Sequence, residues 1–217
     1  MGLTCRRPCM KATSRPKRKN DPVGARSRIL DMAATLFQRH GYGATSMQDL
    51  MWAAGVSGGA LHHHFASKKS LALAVILERV APGVRETWIE PLRTVPSLQK
   101  AIAGIFGDIV EGIETRGRVT GCPLNNLALE LALADPDFRA TLDSVFAEWQ
   151  AALVERIGAT RGGARLNRAK RSDAAAFIVA EYSGAMTLAK TFQSVAPLRS
   201  AGRELAHWLR ERDLHSS

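Results

Sequence analysis

Apolar residues recur along most of the chain at helical spacing, and no stretch has the alternation typical of a β-strand. Within residues 24–40, Ile29, Ala33, Leu36 and Phe37 follow an i, i+4, i+7, i+8 spacing, which places them on one face of a helix. Similar periodicity predicts helices between Thr45 and Gly55, between Ser57 and Phe65, and near 68–92, 97–115, 123–133, 136–158, 168–192 and 197–212. We therefore expect an all-α fold of about nine helices.

Residue types at the predicted helix ends support these limits. Gly41 follows the first helix, and glycine readily takes the left-handed conformation that ends helices. Thr45 and Gln48 have the spacing of a capping box, in which two side chains satisfy free backbone donors at a helix start. Pro82, followed by Gly83, is expected to kink or break the fourth helix, because proline lacks an N–H and its ring crowds the preceding turn.

The second and third predicted helices form a closely linked pair. Leu50 lies on the inner face of the second helix, and Leu61 and Phe65 lie on that of the third. Gly55 supplies a tight turn between them, and Ser57 is placed to cap the third helix. A helix, a glycine turn and a second helix over this length form a helix-turn-helix, a motif that reads the major groove of DNA.

Positive charge is concentrated at one end of the chain. The net charge is +10 over 217 residues; residues 1–80 contain thirteen Lys or Arg against four Asp or Glu, and residues 81–217 contain seventeen against sixteen. A basic end on a nearly neutral body indicates a polyanionic partner such as DNA. Residues 1–23 are basic, contain three prolines and lack apolar periodicity, which predicts a disordered arm. The arm either contacts DNA, only adds solubility, or reflects a start codon placed before the true one.

The expected location is the cytoplasm, with no membrane partner. No stretch approaches the roughly 18–20 apolar residues that a membrane span needs. The basic N-terminus is not followed by the apolar segment of a secretory signal. Three cysteines are too few for a disulfide scaffold and fit a reducing compartment.

Residues 41–68 carry a motif in which spacing and identity agree together. Its members are Gly41-Tyr42, Thr45, Met47, Leu50, Ala54-Gly55-Val56-Ser57, Gly58-Gly59, Leu61, His62-His63-His64, Phe65 and Lys68. The motif resembles that of the TetR family (TetR/AcrR-like) of one-component transcriptional regulators. His62 is a departure, because the family most often has tyrosine at this place.

The resemblance implies the candidate DNA contacts. It implies phosphate contacts from Thr45, His62 and Lys68, and a groove-facing surface made of Ser57, Gly58, Ala60 and His63. Only small residues at 58–60 let the helix backbone approach base edges, so His63 is the expected polar reader. Lys68 and Lys69 oppose the dipole at a helix start, which is better explained if a phosphate binds there. Three consecutive histidines diverge by about 100° each on a helix and are not expected to share a metal ion.

The resemblance also implies a helical body that binds an effector and dimerises. We expect a basic arm at 1–23, a DNA-binding domain at 24–70 and an effector-binding and dimerisation domain at 71–217. The last two helices, alanine-rich with intervening aromatic residues, are the expected homodimer interface, with the completed core of a monomer as the alternative. Candidate ligand-lining residues are Phe106, Cys122, Leu124, Leu127, Trp149 and Phe177.

Cys122 and Glu130 raise separate questions about the body. Cys122 precedes Pro123 at a helix start, where backbone amides lower a thiol pKa; it is either an electrophile or redox sensor or a buried core residue. Glu130 lies within an apolar helix and either pairs internally with an arginine or binds a ligand. The chain lacks the familiar motifs of phosphate loops, nucleophile elbows and metalloproteases, so we expect no enzymatic activity, cofactor or metal.

Together these features predict a ligand-responsive DNA-binding regulator. The leading form is a repressor that binds a palindromic operator as a homodimer and is released by a small apolar or electrophilic molecule. The alternatives are a thiol-based sensor that uses Cys122, a DNA-binding protein that does not respond to ligands, and a signalling or scaffold protein.

Overall fold

The computed structural model describes residues 22–214, which form ten helices and no β-strand. The helices are α1 (Pro22–His40), α2 (Met47–Ala54), α3 (Gly58–His64), α4 (68–94), α5 (Leu98–Arg116), α6 (Pro123–Leu131), α7 (Pro136–Gly158), α8 (Arg161–Ala164), α9 (Arg168–Phe192) and α10 (Ala196–Glu211). The predicted all-α class is confirmed. The helix beyond the expected nine is α8, which is a single turn and too short to show periodicity. Residues 1–21 of the predicted arm lie outside the described residues.

Helix α4 passes through two prolines without a break, so of the predicted kink or break at Pro82 the break is wrong. It comprises Lys68–Val75, a π-helical turn at Ile76–Val80, then Ala81–Val84, a second π-helical turn at Arg85–Ile89, and Glu90–Thr94. Each π-helical turn ends two residues before a proline, at Val80 before Pro82 and at Ile89 before Pro91. The N–H of Ala81 donates to the carbonyl of Ile76, and the N–H of Glu90 donates to the carbonyl of Arg85. We attribute the continuity to these turns, which make room for the proline ring and its missing donor.

Helices α1 to α3 and the start of α4 share one apolar centre. Ile29, Leu50, Leu61, Phe65 and Leu71 are all at most 4% exposed, and their burial is the main force that holds these short helices together. Two ion pairs join the outer sides of α1 and α4. Arg26 meets Glu78 at 2.6 Å and Arg79 meets Asp31 at 2.7 Å. Both pairs are partly exposed, so they contribute little beyond alignment.

The remaining helices form the body of the protein. Helix α7 packs along α9, and α10 packs against both α5 and α9. Helix α8 lies beside the residues that follow α10, where the amide of Gly162 donates to the carbonyl of Asp213 at 2.9 Å. Across residues 22–214, no helix combines the length and the apolar character needed to cross a bilayer.

Candidate functional site

The turn into α2 differs by one residue from the sequence prediction. The cap is Ser46, whose hydroxyl accepts from the amide of Asp49, while the Asp49 carboxylate accepts from the amide of Ser46. The capping box predicted for Thr45 and Gln48 is therefore wrong. Thr45 is buried, and its hydroxyl donates to the carbonyl of Gly41 at 2.8 Å. Thr45 with Gln48 and Ser46 with Asp49 are both pairs of side-chain oxygens three residues apart. The second pair forms the capping box because Thr45 is buried.

Helices α2 and α3 meet at the turn that the sequence predicted. Gly55 ends α2 with φ of 62°, in the left-handed region, and Ser57 caps α3 by accepting from the amide of Ala60 at 3.2 Å. Leu50 and Leu61 are buried between the two helices. The helix-turn-helix geometry is thus built from a positive-φ glycine, a serine cap and two core leucines.

The outer face of α3 is open at its first turn and carries imidazoles at its second. Gly59 is exposed, and a side chain there would meet no atom within 4 Å. His62 and His63 are exposed, whereas His64 is half-buried. The small first turn lets another molecule come close to the backbone, as base readout requires. The predicted contacts at Ser57, Gly58, Ala60, His62 and His63 stay predictions.

The predicted phosphate contacts at the start of α4 have partners within the protein. The ammonium of Lys68 lies 4.2 Å from the Tyr42 ring centre and donates to the Gly43 carbonyl at 3.4 Å. Desolvation lowers the pKa of Lys68, partly opposed by the carboxylates of Glu130 and Asp49. Phosphate binding by Lys68, like that by Thr45, stays a prediction.

Lys69, for which the sequence suggested a phosphate partner, is neutralised within the protein. It forms ion pairs with Asp135 at 2.6 Å and Asp137 at 2.7 Å. These two carboxylates flank the start of α7, where Asp135 is the N-cap. Hydrogen bonds to Asp135 and Asp137 raise the pKa of Lys69. The pairing gives Lys69 a structural role that joins α4 to α7 without any phosphate.

Glu130 joins α6 to the turn between α1 and α2. Its carboxylate accepts from the amides of Tyr42 and Gly43, at 2.8 and 2.5 Å. The carboxylate also lies against Gly41, whose φ is 89° and where an added Cβ would come within 3.1 Å of it. The alternative in which Glu130 pairs with an arginine is therefore wrong. Its partners are backbone amides, which the sequence does not reveal because every residue except proline has one.

A second connection ties the last turns of α1 to the start of α6. The side-chain amide of Gln38 donates to the carbonyls of Gly121 and Thr120 at 2.6 and 3.2 Å. The side chain of Asn126 donates to the Gln38 oxygen at 3.1 Å and to the Thr120 carbonyl at 3.0 Å. Lys190 of α9 donates to Asn126 at 3.1 Å. Asn126 and Glu130 are four residues apart on α6, so both connections leave from one face of that helix.

A cavity of about 430 Å³ lies beside this second connection. Its walls come from α1, α4, the ends of α5 and α6, and single residues of α7 and α9. The lining residues are Ala34, Thr35, Phe37, Gln38, Arg39, Val75, Arg79, Val80, Gly83, Val84, Thr87, Trp88, Arg116, Thr120, Cys122, Pro123, Leu124, Leu127, Trp149 and Tyr182. The volume and the largely apolar lining are typical of small-molecule sites.

Four of the six predicted ligand-lining residues meet at this cavity, namely Cys122, Leu124, Leu127 and Trp149. Phe106 lies one layer behind the wall, with its ring edge-on to those of Trp88 and Tyr182 at 6.1 and 5.9 Å. Phe177 is 42% exposed on the outer side of α9 and contacts Trp208 of α10 at 4.8 Å. The structure therefore does not bring Phe106 or Phe177 into the cavity.

The inner end of the cavity is aromatic. The Trp88 ring lies 4.6 Å from that of Trp149 and 4.9 Å from that of Tyr182, and all three residues are at most 5% exposed. Burial raises the pKa of Tyr182 well above its usual range, and the neighbouring Cys122 adds to the rise. The phenol is therefore neutral at physiological pH.

Cys122 is the N-cap of α6, as predicted, but its electrostatics differ from the expectation. Burial raises the pKa of the thiol above its ordinary value; hydrogen bonds from the amides of Asn125 and Leu124 and the contact with Tyr182 lower it by less. The predicted lowering of the pKa is therefore wrong, because desolvation of a thiolate outweighs the amides at this buried position. Among residues 22–214, no group of three His, Cys, Asp or Glu side chains is arranged to hold a metal ion.

The outer face of α9 carries three exposed apolar side chains. Phe177, Leu188 and Phe192 are 42%, 49% and 63% exposed. Gly184 lies between them, where a side chain would meet no atom within 4 Å. Glu181, four residues after Phe177, lies on the same face. Exposed apolar side chains grouped on one side of a helix and bordered by polar residues commonly mark a protein interface.

Two family models match this chain. The model described as "Bacterial regulatory proteins, tetR family" matches residues 29–75, which contain α2, α3 and parts of α1 and α4. The model described as "Transcriptional regulator LmrA/YxaF-like, C-terminal domain" matches residues 99–204, from α5 into α10.

Individual relatives extend the match over most of the chain. An uncharacterized HTH-type transcriptional regulator in the lacX 3' region of Lactococcus lactis subsp. lactis is 29% identical, over 81% of this chain and 88% of its own. The HTH-type transcriptional repressor DhaR of Mycobacterium sp. (strain GP1) is 25% identical, over 80% and 86%. The crystal structure of a TetR transcriptional regulator from Chloroflexus aurantiacus J-10-FL is 28% identical, with a TM-score of 0.76, over 90% of this chain and 98% of that one. The chain therefore belongs to the TetR family of DNA-binding transcriptional regulators.

Proposed function

We propose that this protein is a repressor that binds a palindromic operator as a homodimer and is released by a small, largely apolar molecule. One observation carries the proposal. The helix that begins at the cavity wall, α6, is hydrogen-bonded through Glu130 to the turn that starts the helix-turn-helix. A ligand in the cavity is thus one helix away from the DNA-reading unit.

For DNA binding, α3 is the proposed recognition helix. Its exposed first turn and the imidazole of His63 face the major groove, while His62, Thr45 and Lys68 are the proposed phosphate contacts. In this proposal the DNA-binding domain covers residues 24–70, and residues 71–217 bind the effector and dimerise. A repressor role is supported by the relative DhaR, which is named a transcriptional repressor.

Dimerisation is proposed through the outer faces of α9 and α10. The exposed side chains of Phe177, Leu188 and Phe192 supply an apolar surface that a second copy would cover. A two-fold pair of such helices makes an isologous four-helix interface. It would present two recognition helices to successive major grooves of a palindrome.

Release by ligand is proposed to run through α6. Gln38, Thr120 and Cys122 line the cavity. Gln38 is hydrogen-bonded to the Gly121 carbonyl just before α6 and to Asn126 in the first turn of α6. A ligand that shifts this turn would shift Glu130 one turn further along the helix. The amides of Tyr42 and Gly43 would then lose or change their partner. Ligand and DNA binding would oppose each other by about 1–3 kcal/mol, the usual size of such coupling.

A mobility-shift experiment tests the proposal. The DNA would be the region upstream of the protein's own gene, and the control would be a scrambled fragment of equal length and base composition. We expect a shift of the upstream fragment that survives excess scrambled competitor and that a compound bound in the cavity reverses. Equal binding of both fragments would contradict sequence-specific regulation. Binding that no cavity ligand weakens would favour a DNA-binding protein that does not respond to ligands.

Thiol sensing by Cys122 is the second candidate function, because the thiol lines the cavity. Its raised pKa argues against it, since the thiolate is the reactive form. A Cys122→Ser variant separates the two candidates. Under the leading proposal it keeps its response to a non-covalent ligand. If thiol sensing is the function, it loses its response to every electrophile.

A further inference from the structure

We infer that the effector is a hydrophobic organic anion, with its negative group at Arg39 and Arg116 and its apolar body against the aromatic end of the cavity. This inference rests on the proposed function and names the chemical class of the ligand. It is carried by the distribution of charge and burial along the cavity wall.

The lining of the cavity is cationic and contains no carboxylate. Three of its twenty lining residues are arginines, and none is Asp or Glu. Arg79 is neutralised by Asp31 at 2.7 Å. Within residues 22–214, neither Arg39 nor Arg116 forms an ion pair. Two positive charges at the cavity therefore have no ion-pair partner in the part of the chain that the structure describes.

The two arginines belong to the exposed part of the lining, whereas the aromatic residues are buried. Arg39 is in the last turn of α1 and Arg116 is the last residue of α5, and both are exposed. The guanidinium of Arg116 folds back over Gly112, where an added Cβ would come within 3.2 Å of it. Trp149 and Trp88, by contrast, are 0% and 2% exposed. The cavity thus combines exposed positive charges with a buried aromatic end.

Arginines at helix C-termini have a simpler explanation, since a cation there stabilises the helix dipole. That explanation does not account for a lining from which every carboxylate is absent. A guanidinium pairs with carboxylates in a two-pronged geometry. Because both arginines are exposed, solvent screens part of this attraction. A hydrophobic cation would be repelled by Arg39 and Arg116. A neutral molecule would be stabilised only by contact with the aromatic end.

Calorimetric titration of the full-length protein tests the charge preference with three compounds of nearly equal shape. These are 2-naphthoate, 2-naphthalenemethanol and 2-naphthylmethylamine, which are an anion, a neutral molecule and a cation at neutral pH. We expect affinity to fall in that order, and the affinity of naphthoate to fall further as salt is raised. Equal affinities, tighter binding of the amine, or no binding of any of the three would overturn the inference.

Arg116→Gln, with Arg118→Gln as its matched control, assigns the effect to the cavity edge. Arg118 is exposed two residues further on and is not part of the cavity lining. We expect Arg116→Gln to weaken naphthoate binding about three- to fivefold, as for a partly exposed ion pair, and to leave naphthalenemethanol unchanged. Arg118→Gln should change neither. Equal losses for both compounds, or for both variants, would overturn the placement of the charge. These outcomes leave operator binding by the unliganded protein untouched. The proposed function is contradicted instead by failure of specific operator binding, or by operator binding that no cavity ligand weakens.

Discussion

At the scale of single residues, His63 is the side chain on which base recognition rests in this account. It is exposed on α3, next to a first turn made of glycine and alanine. Those small residues allow close approach of the backbone but offer no long side-chain donors. The sequence was sufficient to predict this surface, because the motif fixes which residues of a short helix face outward.

His63→Ala should therefore reduce discrimination between operator and scrambled DNA. A good base contact contributes about 1–3 kcal/mol of discrimination, so we expect the ratio of the two affinities to fall at least about fivefold. The measurement is fluorescence anisotropy with both fragments at fixed salt. Thr94→Ala, which changes an exposed residue at the end of α4, is the control. Unchanged discrimination in His63→Ala would remove the readout role.

Cys122 gives a prediction about alkaline pH. Its folded-state pKa is raised by burial, whereas an unfolded thiol has a pKa of about 8.5. Above that pH the unfolded chain releases a proton that the folded chain retains, so the free energy of unfolding falls as pH rises, with a limiting slope of about 1.4 kcal/mol per pH unit.

Urea unfolding between pH 8 and 10 measures this slope. The background should carry Cys5→Ser and Cys9→Ser, so that Cys122 is the one thiol that titrates. Adding Cys122→Ala should make the slope shallower, with the remaining slope owed to Tyr182 and other groups. An identical slope in both proteins would mean that the thiol pKa is not raised.

At the scale of elements, the helices themselves were predictable from apolar periodicity, whereas the local departures were not. The π-helical turns of α4 depend on where Pro82 and Pro91 fall in a helix held on both sides by tertiary packing. Helix α8 is four residues long and depends on Gly162 and Gly163 lying against other backbone. Neither feature has a periodic signature in the sequence.

Gly163→Ala should destabilise the fold. An added Cβ would collide with the carbonyl of Ile157, which is backbone and cannot move aside. We expect a loss of at least about 1–3 kcal/mol in the free energy of unfolding, the usual cost of overpacking. Gly104→Ala is the matched control, since a side chain there meets nothing within 4 Å and should stabilise α5 by about 0.5–1 kcal/mol. Equal effects of the two substitutions would show that the packing of α8 is misjudged.

The connection from α6 to the α1–α2 turn gives a prediction that needs no ligand. In Glu130→Ala the amides of Tyr42 and Gly43 lose a charged acceptor, a bond that contributes about 1.5–3 kcal/mol. Hydrogen exchange at these two amides should therefore speed up by about tenfold or more. Glu86→Ala, at an exposed glutamate on α4, should leave both rates unchanged. Unaltered exchange in Glu130→Ala would exclude this connection as the link between body and DNA-binding domain.

At the scale of the whole molecule, the cavity and its links arise from residues far apart in sequence. Glu130 and Tyr42 are 88 positions apart, and the cavity wall draws on six helices. Helical spacing identified four of the lining residues, because buried aromatic and apolar positions of central helices converge there. It did not separate Phe177, which lies outside the cavity, since spacing alone does not tell which apolar stripe of α9 faces inward and which faces outward.

Charge on the outer face of α9 should separate the dimer. We expect the double substitution Leu188→Glu and Phe192→Glu to give a folded monomer, because it places four like charges in a two-fold interface. Sedimentation velocity gives the mass, and circular dichroism gives the helix content. Leu77→Glu, at an exposed leucine of α4, should remain dimeric. A double variant that sediments as a dimer would contradict the proposed interface.

The central claim is that a symmetric dimer reads a palindrome, and a DNase I footprint on the DNA upstream of the protein's own gene tests it most directly. The predicted result is two protected half-sites related by two-fold symmetry, with centres about one helical turn apart. Protection should be lost in the α9 double variant and weakened in His63→Ala. Uniform protection that follows salt concentration but not sequence, or a single unsymmetrical site, would contradict the account.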